Sequence, residues 1–282
     1  MKVYSLYKDF FSFLDKTMPY RPKWPTYFKI YYQPHQDFLE SYFSSFPSLD
    51  LESLRERVER IKKGDYSRLR NLVAVSPPEA IIDQAHLRCR DVLAPNEEPE
   101  AYLFIGFFSP DGFVITLQGK PVICFGLERF KDLTLMRILF AHEYAHFLMR
   151  LSWETAEAEA DWKLKLMAEG LATMFSLLSF PDQSLASHFL IRRDVLNWCQ
   201  ANESLLREIY IGTRFGTPEL QEMFIIGKPE LSIPARAGKY LAFRAIEKYL
   251  GQEGGRIQDL LEDKNLLLSL FDNEYSGRSP RT

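Results

Sequence analysis

The stretch from residue 132 to residue 180 contains one glycine, Gly170, and no proline. Since these two residue types are the strongest helix breakers, so long a run almost without them favours helical structure. We expect two long helices here, joined near Ser152–Glu154, with Pro181 ending the second. The fold is therefore predicted to be predominantly helical.

Short apolar runs precede this helical stretch. They begin at Ala101, Phe113 and Pro121, and turn residues separate them at 109–112 and 119–120. Apolar runs of this length between turn signals are typical of strands, so we predict a three-stranded antiparallel meander. A small antiparallel sheet packed against the first long helix, in a mainly helical chain, predicts the α+β fold class.

The flanking parts of the chain also show helical patterns. We expect helices over residues 1–18, 34–46 and 51–65 and from Pro77, a short aromatic strand at Tyr27–Tyr32, and a well-formed helix at 234–250 that starts at Pro234 and stops at Gly251. The predicted organisation is a mainly helical N-terminal region, 1–95, followed by a second region, 96–282, that contains the sheet and the two long helices. We expect the second region to be one compact unit.

Composition restricts the partners and the compartment. The 282 residues include 35 basic and 38 acidic side chains, and a net charge of −3 gives no basis for binding nucleic acid or an anionic membrane. The three cysteines, Cys89, Cys124 and Cys199, form no CxxC pair, which favours a reducing compartment. Since we identify neither a signal peptide nor an apolar run long enough to span a membrane, we expect a cytoplasmic protein.

The first long helix is predicted to contain the sequence AHEYAH. His142 and His146 lie four residues apart, so on a helix their imidazole rings project from one face with Cβ atoms about 6 Å apart. Two imidazoles at that spacing can ligate one zinc ion together. Glu143, one position after the first histidine, can reach a water molecule on the metal without being a ligand, and it can accept that water's proton as the water attacks a carbonyl.

The alternative interpretation of this motif is a helix with two histidines on its surface. Here the residues that flank the motif are apolar: Leu139, Phe140, Phe147 and Leu148. Such flanks predict burial of the two histidines and of Glu143, and unpaired polar groups are costly in a buried position. Burial therefore favours a metal site over a helix with histidines on its surface.

A catalytic zinc ion normally has three protein ligands and one open position, so one more ligand is needed. We select Glu169, which lies on the second long helix, where Gly170 and Ala172 leave little bulk and allow close packing beside the first. The alternatives are the acidic residues at the start of that helix, which are more typical of a solvated first turn, and His188. The acidic residues among these alternatives are Glu157, Glu159 and Asp161.

The motif HEYAH, followed after 22 residues by the run Glu169-Gly170-Leu171-Ala172, resembles the gluzincins, the thermolysin-like zinc peptidases whose second helix carries a glutamate ligand. More narrowly, it is similar to a bacterial family of predicted zinc-dependent proteases described mainly as a domain of unknown function. The similarity covers roughly residues 100–250 and includes a weaker element, Arg236, Gly238 and Tyr240. The sequence differs from the better-known gluzincins at Thr173, where those have an aspartate.

The resemblance implies a zincin-like peptidase with one Zn²⁺ per chain and a peptide or protein substrate. It also implies that an edge strand, which we assign to residues 120–126, binds the substrate through main-chain hydrogen bonds. Arg236 and Tyr240 are expected on one helical face, where either could donate to the oxyanion; Tyr240 is the preferred donor.

Two other functions are compatible with the same residues. A metal-binding interaction module without catalysis would use the ion structurally and would be expected to have four protein ligands. A zinc hydrolase acting on a bond other than a peptide bond would share the same ligands, because a metal site does not define its substrate. Oligomeric state, cleavage specificity and the role of residues 1–95 have no signal in the sequence.

Overall fold

The structure is a computed structural model that describes residues 1–45, 50–107, 110–153, 161–212, 223–252 and 254–275. The chain divides into two compact units. The first comprises Met1–Leu87 and Pro95–Glu143, and the second comprises Arg88–Ala94 and Tyr144–Thr282. The boundaries between the units fall at three points of the chain, two of them within helices and one between Ala94 and Pro95.

The first unit contains the sheet and most of the short helices. Its helices are α1 Leu6–Lys16, α2 Trp24–Tyr27, α3 Gln36–Ser44, α4 Leu51–Arg60, α5 Ser67–Val75 and the larger part of α6 Pro78–Val92. Its strands are β1 Lys2–Ser5, β2 Glu100–Phe104, β3 Phe113–Leu117 and β4 Lys120–Gly126. The unit ends within α7, Met136–Ser152, the helix that contains the HEYAH sequence.

The sheet is mixed and has the strand order β1-β2-β4-β3, so the predicted three-stranded antiparallel meander is wrong. Strand β2 pairs in parallel with both β1 and β4, and only β3 and β4 form an antiparallel hairpin. Four of the five residues of β2 are buried, which is typical of a strand that pairs in parallel on both sides. Strand β4 lies between β2 and β3, so residues 120–126 are not the edge strand that we predicted; β1 and β3 are the outer strands.

Two local predictions in the first unit are also wrong. The helix expected from residue 1 begins only at Leu6, because residues Lys2–Ser5 pair with β2 and Tyr4 stacks on Tyr102 with ring centroids 4.5 Å apart. The aromatic segment Tyr27–Tyr32 is helical, the end of α2 followed by a π-helical turn at Phe28–Tyr32. Helical spacing places Tyr27 and Tyr31 together in the core, both 0 % exposed, and this burial outweighs the β propensity of aromatic residues.

The second unit is mainly helical in its described residues, which also include an isolated β-bridge between Lys228 and Ile233. It contains the end of α7 and then α8 Trp162–Ser179, α9 Leu185–Phe189, α10 Arg193–Ala201, α11 Glu203–Gly212, α12 Ala237–Leu250, α13 Ile257–Glu262 and α14 Lys264–Tyr275. Helices α8 and α12 lie in close contact. A Cβ atom added at Gly170 of α8 would lie only 2.7 Å from the Cβ of Ala242 on α12. The two long helices predicted between residues 132 and 180 are thus confirmed as α7 and α8.

A small sheet in a mainly helical chain confirms the α+β fold class. The sheet contacts α7 within the first unit, where the rings of Phe125 on β4 and Phe140 on α7 stack at 6.2 Å. Among the described residues, no helix combines the length and the apolar character needed to cross a membrane.

Candidate metal centre

Helix α7 positions the two histidines and Glu143 as the sequence predicted. Apolar residues on both sides of the motif are buried, which fixes the rotation of the helix, and His142 and Glu143 are only 3 % and 6 % exposed. His146 lies one turn further on and is partly exposed, so of the two histidines predicted to be buried only His142 is. The motif is therefore built into a core helix, and a helix with two surface histidines is ruled out for this chain.

Helix α8 supplies the third member of the group. The Oε1 atom of Glu169 lies 3.3 Å from Nε2 of His146. One ligand atom from each of His142, His146 and Glu169 can be chosen so that all three lie within 4.8 Å of one another. Two imidazole nitrogens and one carboxylate oxygen at this separation form a group that can hold a metal ion, and this donor set suits zinc.

The group has these three members among the residues that the structure describes. A structural zinc ion would normally have four protein ligands, whereas a catalytic one has three and keeps an open position. The side chain of Glu169 is 45 % exposed, so the group has a solvent-accessible side. Among the described residues, the group thus has three members, and one of them, Glu169, is accessible to solvent.

Glu143 lies against the chain segment that leads into β3. A Cβ atom at Gly112 would be 3.0 Å from Cγ and 3.1 Å from Oε1 of Glu143, and 2.9 Å from Cγ of Leu139. Only a glycine allows this close approach without a shift of the neighbouring side chains. The start of the outer strand β3 is therefore placed directly beside the predicted general base.

The structure accounts for two of the alternative ligands. Asp161 is the N-cap of α8, and its carboxylate accepts hydrogen bonds from the backbone N–H groups of Lys163 and Leu164. His188 is fully buried on α9, its Nδ1 lies 3.0 Å from Oγ of Ser176, and burial lowers its pKa. Neither belongs to the metal group. The other two, Glu157 and Glu159, lie outside the described residues.

Thr173 occupies the position where the better-known gluzincins have an aspartate. Its side chain is fully buried, and its hydroxyl donates to the backbone carbonyl of Glu169 at 2.8 Å. Thr173 thus bonds within its own helix, one turn from the ligand.

Arg236 and Tyr240 do not share a helical face as predicted, because α12 begins at Ala237 and not at Pro234. Arg236 is the exposed N-cap residue, with a left-handed φ of 66°, and its N–H donates to the carbonyl of Ile225. Tyr240 is buried in α12 and donates its hydroxyl hydrogen to Glu203 at 2.9 Å. Burial raises the pKa of Tyr240 well above its usual range, and the hydrogen bond to the Glu203 carboxylate makes a smaller contribution in the same direction.

A residue that the sequence predictions missed lies between these two. Lys239 is 3 % exposed, and its ammonium Nζ lies 3.1 Å from Oε2 of Glu169. A lysine within the otherwise apolar run of α12 is the one signal that could have indicated it, because lysine is almost never buried without an acidic partner. The pairing with Glu169 depends on the packing of α12 against α8, which no local pattern encodes.

Comparison of the chain with protein-family models, with curated proteins and with solved structures found no match. The resemblance to gluzincins therefore depends on the motif residues alone and stays a prediction.

Proposed function

We propose that this chain is a zinc-dependent peptidase that hydrolyses peptide bonds with Glu143 as general base. The supporting observation is the group formed by His142, His146 and Glu169, with the buried carboxylate of Glu143 one position from a ligand on the same helix. Two histidines and a glutamate are the ligands of well-known zinc peptidases.

Zn²⁺ held by this group would supply a Lewis acid that polarises a carbonyl and acidifies a water molecule. Glu143 is not a member of the ligand group, and it follows the ligand His142 directly on the same helix. In the proposed reaction it accepts the proton of the attacking water and then delivers that proton to the leaving amine. The close approach of Gly112 keeps the Glu143 side chain in a defined place for both steps.

The substrate is proposed to be an extended peptide that adds to the edge of the sheet. Of the two outer strands, β3 is the one whose preceding residue, Gly112, lies beside Glu143. An extended chain paired with β3 would bring its own backbone carbonyls close to the general base, and main-chain hydrogen bonds would bind it with little dependence on sequence. This replaces β4, residues 120–126, as the proposed substrate-binding strand.

The oxyanion donor stays a prediction. For Tyr240 to act in this way, its hydroxyl must give up the hydrogen bond to Glu203. Arg236 has an exposed guanidinium and needs no such exchange, but it is held at the N-cap of α12 rather than within the helix.

A cytoplasmic location is part of the proposal. The three cysteines are free and buried, with no disulfide among them. Free thiols are typical of proteins in reducing compartments.

The test combines metal analysis with cleavage of a broad peptide library. We expect about one zinc per native chain, and we expect His146→Ala to lose it because a ligand nitrogen is removed. Glu143→Gln keeps the shape of the side chain but cannot accept a proton, so it should retain zinc and fold while turnover falls by about 10²–10⁴-fold.

Each variant has an outcome that contradicts one part of the proposal. Near-native turnover by Glu143→Gln would show that Glu143 is no general base. Full zinc content in Glu169→Ala would assign the third ligand to another acidic residue, such as Glu157 or Glu159. A native chain that holds zinc but cleaves no peptide would favour a binding module or a hydrolase of another bond.

A further inference from the structure

Lys239 is a charged residue in a part of α12 that is otherwise apolar. Its neighbours Gly238, Tyr240 and Leu241 are buried with it, and the lysine itself is only 3 % exposed. An ammonium group loses its hydration on burial, so it is stable there only with a close acceptor. A close acceptor is the carboxylate of Glu169, whose Oε2 lies 3.1 Å from Nζ of Lys239.

The two oxygens of Glu169 have different neighbours. Oε2 lies beside the ammonium of Lys239, whereas Oε1 lies 3.3 Å from Nε2 of His146, within the metal group. The carboxylate is therefore oriented with one oxygen toward the other ligands and the other oxygen toward α12.

The backbone on both sides of this pair is fixed by close packing. Gly170, next to Glu169, leaves no room for a Cβ atom beside Ala242 of α12, and Gly238, next to Lys239, leaves none beside Phe224. A Cβ at Gly238 would also come within 3.0 Å of Leu166 on α8. The distance between the Glu169 and Lys239 side chains is thus set by the contact of two helices and not by a flexible loop.

We propose that Lys239 is a positioning residue for the metal centre: its ammonium holds Oε2 of Glu169, so that Oε1 alone ligates the ion. This inference rests on the metal site of the proposed function. A carboxylate that bound through both oxygens would fill two positions on the ion, whereas catalysis needs an open one. Partners that orient a ligand commonly affect metal affinity by about 10–100-fold when they are removed.

The experiment measures zinc affinity by competition with a chelator, with no peptide present. The variants are Lys239→Met, which keeps the length of the side chain without its charge, and Lys239→Arg, which keeps the charge. Lys228→Met is the matched control, because Lys228 is an exposed lysine of the second unit that lies on neither α8 nor α12. We expect affinity to fall about 10–100-fold in Lys239→Met, to recover in part in Lys239→Arg, and to stay native in the control.

A second readout separates positioning from general stability. In the Co²⁺-loaded protein, the visible absorption should change in Lys239→Met, because a freed carboxylate alters the coordination, and should return toward the native spectrum in Lys239→Arg. In a Glu169→Gln background, the loss of Lys239 should add little to the loss of affinity, since the two residues act through one contact. If Lys239→Met fails to fold, Lys239→Gln replaces it in both measurements.

Native zinc affinity and an unchanged Co²⁺ spectrum in Lys239→Met would overturn the inference and leave the metal site intact. Zinc binding that weakens in Lys239→Met supports the inference even if no peptide is cleaved. A native chain that binds no zinc overturns both the proposed metal site and the role of Lys239.

Discussion

Gly112 is a residue whose role follows from the absence of a side chain. The segment that enters β3 passes so close to α7 that its backbone lies against Leu139 and Glu143. In the proposed reaction the carboxylate of Glu143 accepts and then releases a proton, and a defined position favours both steps. The glycine allows the strand to form one side of that position.

We predict that Gly112→Ala lowers turnover while zinc content stays native. The added Cβ would lie 2.9 Å from Leu139 and 3.0 Å from Glu143, so these side chains must move, whereas none of the three ligands is among its nearest atoms. A displacement near 1 Å can cost about 10²-fold in rate. Gly64→Ala is the control, because a Cβ at Gly64 has no atom within 4 Å. Equal turnover in the two variants would contradict a positional role for Gly112.

At the scale of elements, the contact between α8 and α12 organises the second unit. We predicted that Gly170 would allow α8 to approach the HEYAH helix, but its Cα lies against α12, beside Ala242 and Phe243. The small residue does allow close helix packing, but the helices that it brings together are α8 and α12. Through this contact Glu169 and Lys239, each adjacent to a close-packed glycine, come within bonding distance.

We predict that Gly170→Ala destabilises the protein by about 1–3 kcal/mol, the usual cost of overpacking. The alanine would favour the helix by up to about 1 kcal/mol, but its Cβ would meet backbone atoms of Ala242 and Phe243 at 2.8 Å, and backbone cannot move as a side chain can. The measurement is the midpoint of urea unfolding. Lys165→Ala, at an exposed position of the same helix, is the control and should change the midpoint little.

For the whole molecule, prediction from sequence succeeded where the signal was local. His142, Glu143 and His146 lie on one helix, so their spacing alone placed them, and the run without proline defined α7 and α8. The sheet order was missed because β2 pairs in parallel with β4 and with the N-terminal residues Lys2–Ser5, and neither pairing has a local signal in the sequence. Lys239 was missed for the same reason, since its partner is 70 residues away.

The cysteines provide a test that covers both units. Cys124 belongs to the first unit and Cys89 and Cys199 to the second, and all three are buried and free. Burial raises the pKa of Cys89 to about 12 and that of Cys199 to about 11. At pH 8 these two thiols are therefore protonated as well as inaccessible, and the thiolate is the form that reacts.

We predict that the native protein takes up no iodoacetamide at pH 8, whereas the chain unfolded in guanidinium chloride takes up three equivalents, one for each cysteine. Unfolding restores both access and an ordinary thiol pKa of about 8.5, so reaction should be fast once the chain is open. Intact-mass spectrometry counts the adducts, and peptide mapping assigns them. Labelling of Cys124 alone in the native state would show that the first unit opens by itself, and labelling of Cys89 or Cys199 alone would show the same for the second.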